Sequence, residues 1–286
     1  MKDRIDDLIF ERAPWLDGRT ATTRTARRIL NQMLGYDRTV SLAEALRDDS
    51  AAVIMRRMGE MLAKQVHVTG LGHLPATGPA LVVANHPTGI ADGIILYHMI
   101  AKRRPDVYAM ANKDILRLLP QMEDMICPVE WRLEKRTHAS ARETMHYVRK
   151  AKDDGRIGLI FPSGRLAKRR GLNLKERPWM SSAAMLARKF DLPVVPVNIQ
   201  ARNSLLFYLF DLIHPTLRDI TLFHETLNKD QQPFRITVGA PIPGGDLPRN
   251  ADEGIAHLKQ QTLDLGRRNA PTQLRFPLAD NLVTWS

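Results

Sequence analysis

Leu81-Val82-Val83-Ala84-Asn85-His86-Pro87-Thr88-Gly89-Ile90-Ala91-Asp92-Gly93 decides how this chain is built. The run from Ala80 to Ala84 is continuously apolar and gives way to a polar Asn85. Pro87 and Gly89 then punctuate the chain, and a helix is predicted to begin near Asp92. An unbroken apolar strand leading through a turn into a helix is the unit from which parallel sheets, covered on both faces, are assembled.

Outward from this stretch the unit recurs. Short β-rich runs lie at Val66-His67-Val68, Val107-Tyr108-Ala109-Met110, Ile157-Gly158-Leu159-Ile160-Phe161 and Leu192-Pro193-Val194-Val195-Pro196-Val197, with a late strand at Phe234-Arg235-Ile236-Thr237-Val238. Helical segments are predicted between and after them, near Ala91 to Lys102, Ala139 to Lys152, Ser181 to Lys189 and Ala251 to Arg268. The expected fold class is α/β, a largely parallel central sheet flanked by helices. Residues 1–64 carry no strand pattern and predict helices over Thr20 to Leu34 and Ser41 to Lys64, the second opening on Ser41 and Glu44 at capping-box spacing. The expected organisation is therefore a helical N-terminal subdomain, 1–64, followed by an α/β domain, 65–286.

Composition narrows the function classes. The 286 residues are 44% apolar and 26% charged, a globular balance rather than a disordered one. A formal net charge of +11 favours an anionic partner: nucleic acid, an acidic protein, a phosphorylated metabolite or an anionic membrane surface. The single cysteine, Cys127, excludes an intramolecular disulfide and a cysteine-rich zinc site, and its apolar neighbours point to a buried, inert thiol. No uninterrupted apolar run reaches the roughly 18 residues that a spanning helix needs. The charged N-terminus lacks the apolar core of a signal peptide. The expected location is cytoplasmic, with any membrane contact peripheral at the inner face.

His86 sits where the strand ends, the edge at which open α/β sheets bind ligands, and Asp92 follows on the next element. An imidazole is suited to taking a proton near neutral pH, and a carboxylate can hold it in the right tautomer, so the pair reads as a general-base dyad that activates a hydroxyl. The same residues also read more plainly, with Asp92 capping a helix and His86 as a turn residue. The other histidines show no metal-ligand spacing, and neither a P-loop nor a dinucleotide-binding glycine turn is present.

Four blocks in order carry a family resemblance. They are Val68-Thr69-Gly70-Leu71-Gly72-His73-Leu74-Pro75 through Asn85-His86 and Asp92, then Ile160-Phe161-Pro162-Ser163-Gly164-Arg165, then Leu192 to Val197, and Val238-Gly239-Ala240-Pro241-Ile242. Together, over residues 66–243, they resemble the PlsC-type glycerolipid acyltransferases, most of all the bacterial hemolysin-like and ornithine-lipid-type members. The resemblance implies an acyltransferase that moves a fatty acyl group from acyl-CoA or acyl carrier protein to the hydroxyl of a lysophospholipid-type or related lipid. It implies His86 as general base and Asp92 as its orienting partner, with substrate contacts at Asn85, Arg132, Phe161, Pro162, Ser163, Gly164 and Arg165. No metal and no bound cofactor are implied, and no activated Ser or Cys points to an acyl-enzyme.

Three departures from the family pattern stand out. Five residues separate His86 from Asp92 in place of the usual four, and Ser163 stands where the family has Glu, with Arg165 one position early. The arginine that ends the family's intermediate strand is assigned to Arg132 by its local setting, although distance to the Phe161 block fits Arg136.

The run from Arg165 to Arg177 carries six cations against Glu176 alone, and outside Arg165 it reads as a solvated loop. Leu205-Leu206-Phe207-Tyr208-Leu209-Phe210 is either core or an interfacial anchor. Two rivals to the enzyme reading are a lipid-binding protein of the same fold without catalysis and a basic nucleic-acid-binding protein. The second lacks a zinc-finger spacing, an RNA-recognition sheet motif or a helix-turn-helix.

Overall fold

The structure, a computed structural model, describes residues 1–130, 137–171 and 173–267. Its strands in chain order are β1 (Val66–Thr69), β2 (Ala80–Ala84), β3 (Val107–Asn112), β4 (Ile126–Val129), β5 (Ile157–Ile160), β6 (Lys168–Arg170), β7 (Asn173–Lys175), β8 (Val194–Gln200) and β9 (Phe234–Val238). Seven of them form one sheet in the order β1-β9-β8-β2-β5-β3-β4, while β6 and β7 make a separate hairpin. Every pair in the large sheet is parallel except β8 with β9. The largely parallel sheet expected from the apolar runs is present, with its late strand reversed. β9 alternates buried Phe234, Ile236 and Val238 with half-exposed Arg235 and Thr237, whereas β2 is buried along its whole length.

The helices are α1 (Lys2–Arg12), α2 (Ala21–Met33), α3 (Tyr36–Ala45), α4 (Ala51–Leu62), α5 (Ile90–Ala101), α6 (Asp114–Leu118), α7 (His138–Asp153), α8 (Ser182–Lys189), α9 (Leu205–Ile213), α10 (Pro215–Ile220), α11 (Leu222–Leu227) and α12 (Ala251–Arg267). The single helix expected over Ser41 to Lys64 is two. Ser41 lies inside α3, which starts five residues earlier at Tyr36, after Gly35 in a left-handed conformation. The chain breaks over 46–50, and Ser50 becomes the N-cap residue of α4. Tyr36 explains the early start, because its hydroxyl donates to Asp6 (2.6 Å), the carboxylate that also pairs with Arg27 (2.8 Å). A tertiary contact thus overrides the local cap signal.

Strand periodicity divides the core in two. Ala80, Val82 and Ala84 join Ile95, Val195 and Val197 in one cluster, which also takes in Ile5, Leu8, Leu46, Ile54, Met58 and Leu62 of the N-terminal helices. Leu81 and Val83 face the other way, against Val148 of α7, Ala183 and Leu186 of α8, and Ile255 and Leu258 of α12. Gly158 in β5 lies beside Tyr108 of β3, and a Cβ there would fall 2.6 Å from the phenol ring. The buried Cys127 thiol is pushed up to about 12 by its apolar surroundings, which keeps it protonated and inert.

The amino-terminal edge of the sheet is tied together by one side chain. Arg104, 3% exposed, pairs with Asp106 ahead of β3. It also donates to the carbonyls of Pro75 (3.1 Å) and Gly78 (2.9 Å) ahead of β2, and of Gly155 (2.7 Å) ahead of β5. Arg104→Met would remove the buried donor that these partly buried acceptors share. We expect it to lower stability by about 2–4 kcal/mol, measured by urea unfolding.

Candidate active site

Register brings the two informative turns together. β2 pairs in parallel with β5, Val83 opposite Ile160, so the residues that follow both strands emerge side by side. His86 and Phe161 stack there with ring centroids 4.3 Å apart and planes 25° apart. On the other flank Asn85 continues the ladder to β8 with its side chain. Its Nδ2 donates to the Ile199 carbonyl (2.9 Å) and its Oδ1 accepts the Ile199 N–H (2.7 Å). Asn85 is therefore 8% exposed and engaged with the sheet.

The longer turn closes around Asp92. Gly89 adopts φ 105°, ψ −136°, a conformation open to glycine and strained for other residues, and α5 begins at Ile90 with Asp92 in its first turn. The Asp92 carboxylate, 0% exposed, accepts the N–H groups of Thr88 (2.8 Å) and Gly89 (3.0 Å) and the Thr88 hydroxyl. His86 Nδ1 lies 3.0 Å from Asp92 Oδ2, a close contact without the alignment of a hydrogen bond, and Nδ1 has no hydrogen-bond partner among the described residues. Asp92 both caps the helix and faces the imidazole. A carboxylate at Nδ1 favours a proton on that nitrogen, leaving Nε2 as the basic one. Nδ1 is buried and His86 lines the cavity, so Nε2 is the nitrogen presented there. This arrangement can accept a proton from a hydroxyl and stabilise the resulting imidazolium.

The Phe161–Arg165 block forms the adjacent wall. Gly164 turns the chain at φ 59°, its N–H donating to the Phe161 carbonyl (2.9 Å). Ser163 is buried and its hydroxyl donates to the Arg165 carbonyl (2.7 Å). Phe161, Pro162, Gly164 and Arg165 all line the same cavity as His86. Arg132 and Arg136 lie outside the described residues. The solvated reading of the basic run missed one residue, since Glu176 turns its carboxylate inward onto the His86 backbone N–H (3.3 Å). The signal available was an acid standing alone among cations, three residues before Trp179.

The cavity measures about 1470 Å³ and has two chemically distinct ends. Away from His86 its walls are apolar: Leu42, Leu46, Met55 and Met58 from the N-terminal helices face Ile94, Ile115, Leu118 and Met122. Nearer the surface it is lined mainly by cations, Arg165, Lys168, Arg177, Arg188 and Lys189, together with Arg218, which pairs with Asp211 (3.0 Å) and Asp219 (2.7 Å) on the same wall. Sites for ordinary small molecules run to roughly 300–1,000 Å³. The volume and the apolar depth suit a long chain with an anionic head.

Residues 65–200, just under half of the chain, match the Acyltransferase family model. Two curated relatives are lyso-glycine lipid O-acyltransferases. That of Phocaeicola vulgatus is 26% identical over 190 residues, covering 64% of this chain and 66% of that protein. That of Bacteroides thetaiotaomicron is 24% identical over 190 residues, covering 64% and 68%. The match thus spans about two thirds of these relatives' length. A crystal structure of the 1-acyl-sn-glycerophosphate acyltransferase PlsC from Thermotoga maritima aligns with a TM-score of 0.45 at 13% identity, covering 86% of this chain and 98% of that one.

The geometry of the turn is itself testable. A Cβ on Gly89 would lie 2.9 Å from the Leu166 side chain, on a backbone that L-residues rarely adopt. Gly89→Ala is expected to lower stability by about 1–3 kcal/mol. Denaturant unfolding measures the loss.

Proposed function

We propose that this protein transfers a fatty acyl group from an acyl thioester to the hydroxyl of a lyso-lipid. The observation that carries the proposal is the His86–Asp92 pair beside a cavity that is apolar in its depth and cationic near the surface. His86 Nε2 takes the proton of the acceptor hydroxyl as its oxygen attacks the thioester carbonyl. Asp92 holds the ring and stabilises its cationic form. When the tetrahedral intermediate collapses, the C–S bond breaks and the imidazolium returns the proton to the departing thiolate. The acyl chain occupies the apolar arm. The cations hold the anionic part of acyl-CoA or acyl carrier protein, with Arg165 nearest the chemistry in sequence. The resident chemistry needs no metal and no bound cofactor.

For the acceptor we favour a lyso-lipid with an amino-acid head, on the strength of the two relatives named for a lyso-glycine lipid. A screen of lyso-glycine lipid, lyso-ornithine lipid and lysophosphatidic acid against acyl-CoA and acyl-ACP tests this. Turnover with an amino-acid acceptor is expected to exceed that with lysophosphatidic acid, and the reverse order would reassign the acceptor. His86→Ala should lower turnover at least about 10²-fold. A near-normal rate in that variant overturns the mechanism.

The place of work is proposed to be the surface of an anionic membrane. No helix among the described residues is long and apolar enough to cross a bilayer. The apolar cluster at 205–210 divides: Phe207, Tyr208 and Phe210 are buried, whereas Leu205, Leu209, Leu212 and Ile213 are 57%, 49%, 66% and 62% exposed along α9. That exposed face, with a net charge of +11, suits insertion beside anionic headgroups. The protein should bind anionic vesicles and ignore neutral ones, with a fraction that resists high salt. Leu209→Asp with Leu212→Asp should abolish that fraction in a vesicle-sedimentation assay while leaving the fold intact.

A further inference from the structure

We infer that Glu176 is a positioning residue for His86, a second carboxylate that fixes the backbone of the base and steadies the imidazolium it forms. The inference rests on the general-base reading of His86 given above.

Residues 176–180 run across both turns at the carboxyl end of the sheet and are bonded to each. Glu176 Oε2 accepts the His86 N–H at 3.3 Å. Arg177 Nε donates to the Leu166 carbonyl at 2.8 Å, and the Met180 N–H donates to the Pro162 carbonyl at 3.0 Å. The other side of the His86 peptide is held as well, since its carbonyl accepts the Ala167 N–H at 2.8 Å. His86 is thus fixed at its backbone N–H, its carbonyl, its Nδ1 and its ring face.

The second oxygen of Glu176 is equally well placed. Oε1 accepts the indole N–H of Trp179 at 3.0 Å, and Trp179 is anchored in the core. The small Ser163 side chain leaves room here, and its hydroxyl lies within reach of the carboxyl. Burial raises the Glu176 pKa, while the donors Trp179 and His86 act against that shift. Both oxygens face N–H donors, which offset part of the effect of burial. A neutral amide has a single acceptor oxygen and could take only one of these two donors, so the carboxylate supplies both the second acceptor and charge beside the base.

The charged and titratable groups around His86 are Asp92 at Nδ1, Glu176 at its backbone, and Arg165, Lys168, Arg177 and Tyr208 from the cavity wall. The carboxylates favour the imidazolium and the cations oppose it.

The experiment compares wild type with Glu176→Gln, following the His86 ring by NMR, with its signal assigned through a His86→Gln variant. The His86 midpoint should fall by about 0.5 pH unit or more. The acid limb of kcat/KM should move down with it, and kcat should drop roughly 10-fold with KM for the thioester nearly unchanged. Should Glu176→Gln not fold, Glu176→Asp replaces it, which keeps the charge but withdraws it by one methylene and should shift the midpoint in the same direction. An unchanged His86 midpoint in a folded variant overturns the inference. If wild type turns over no thioester with any acceptor, the acyl-transfer reading falls, while the NMR comparison still decides the role of Glu176.

Discussion

A fully buried carboxylate is the constraint on which the rest of this site depends. Asp92 lies out of reach of water, where an uncompensated charge is prohibitively costly, so the chain has to bring it donors. Two backbone N–H groups and a hydroxyl come from Thr88 and Gly89, and the imidazole of His86 completes the set. Satisfying Asp92 therefore determines the shape of the turn, the start of α5 and the direction of the ring. The turn between His86 and Asp92 passes through Gly89, whose backbone angles would strain any other residue. The turn brings imidazole to within 3.0 Å of the carboxylate.

The second constraint is sheet register. With Val83 opposite Ile160 and Val82 opposite Val195, the residues leaving β2 are flanked by those leaving β5 and β8. Asn85 fastens one flank and the His86–Phe161 stack the other. The N-terminal helices then roof the apolar arm of the cavity, contributing Leu46, Met55 and Met58 to a wall that the sheet alone could not supply.

Much of this was legible in the sequence because the signals were local. Unbroken apolar runs mark β2, β5 and β8, and a strand, a Pro–Gly turn and an acid in a helix's first turn locate the dyad. What was not legible depends on partners distant in the chain. Nothing in Phe234–Val238 tells whether it runs with or against β8. The cap signal at Ser41 loses to a helix begun earlier by the Tyr36–Asp6 contact. The aromatic cluster of α9 splits between core and surface by helical phase, which a window reading of six apolar residues does not resolve. Glu176 was hidden for a different reason: among so many cations an acid looks like part of a solvated face, and only the fold shows it turned toward His86.

Arg104 gives the architecture a further property. It gathers the loops ahead of β2, β3 and β5 at the amino-terminal edge, and it is not among the residues that line the cavity at the opposite edge. The fastening and the candidate site thus sit at opposite ends of the same strands. Insertions and substitutions in the turns beyond the carboxyl ends leave the clamp untouched, so that edge can vary without renegotiating the stability of the sheet that carries it.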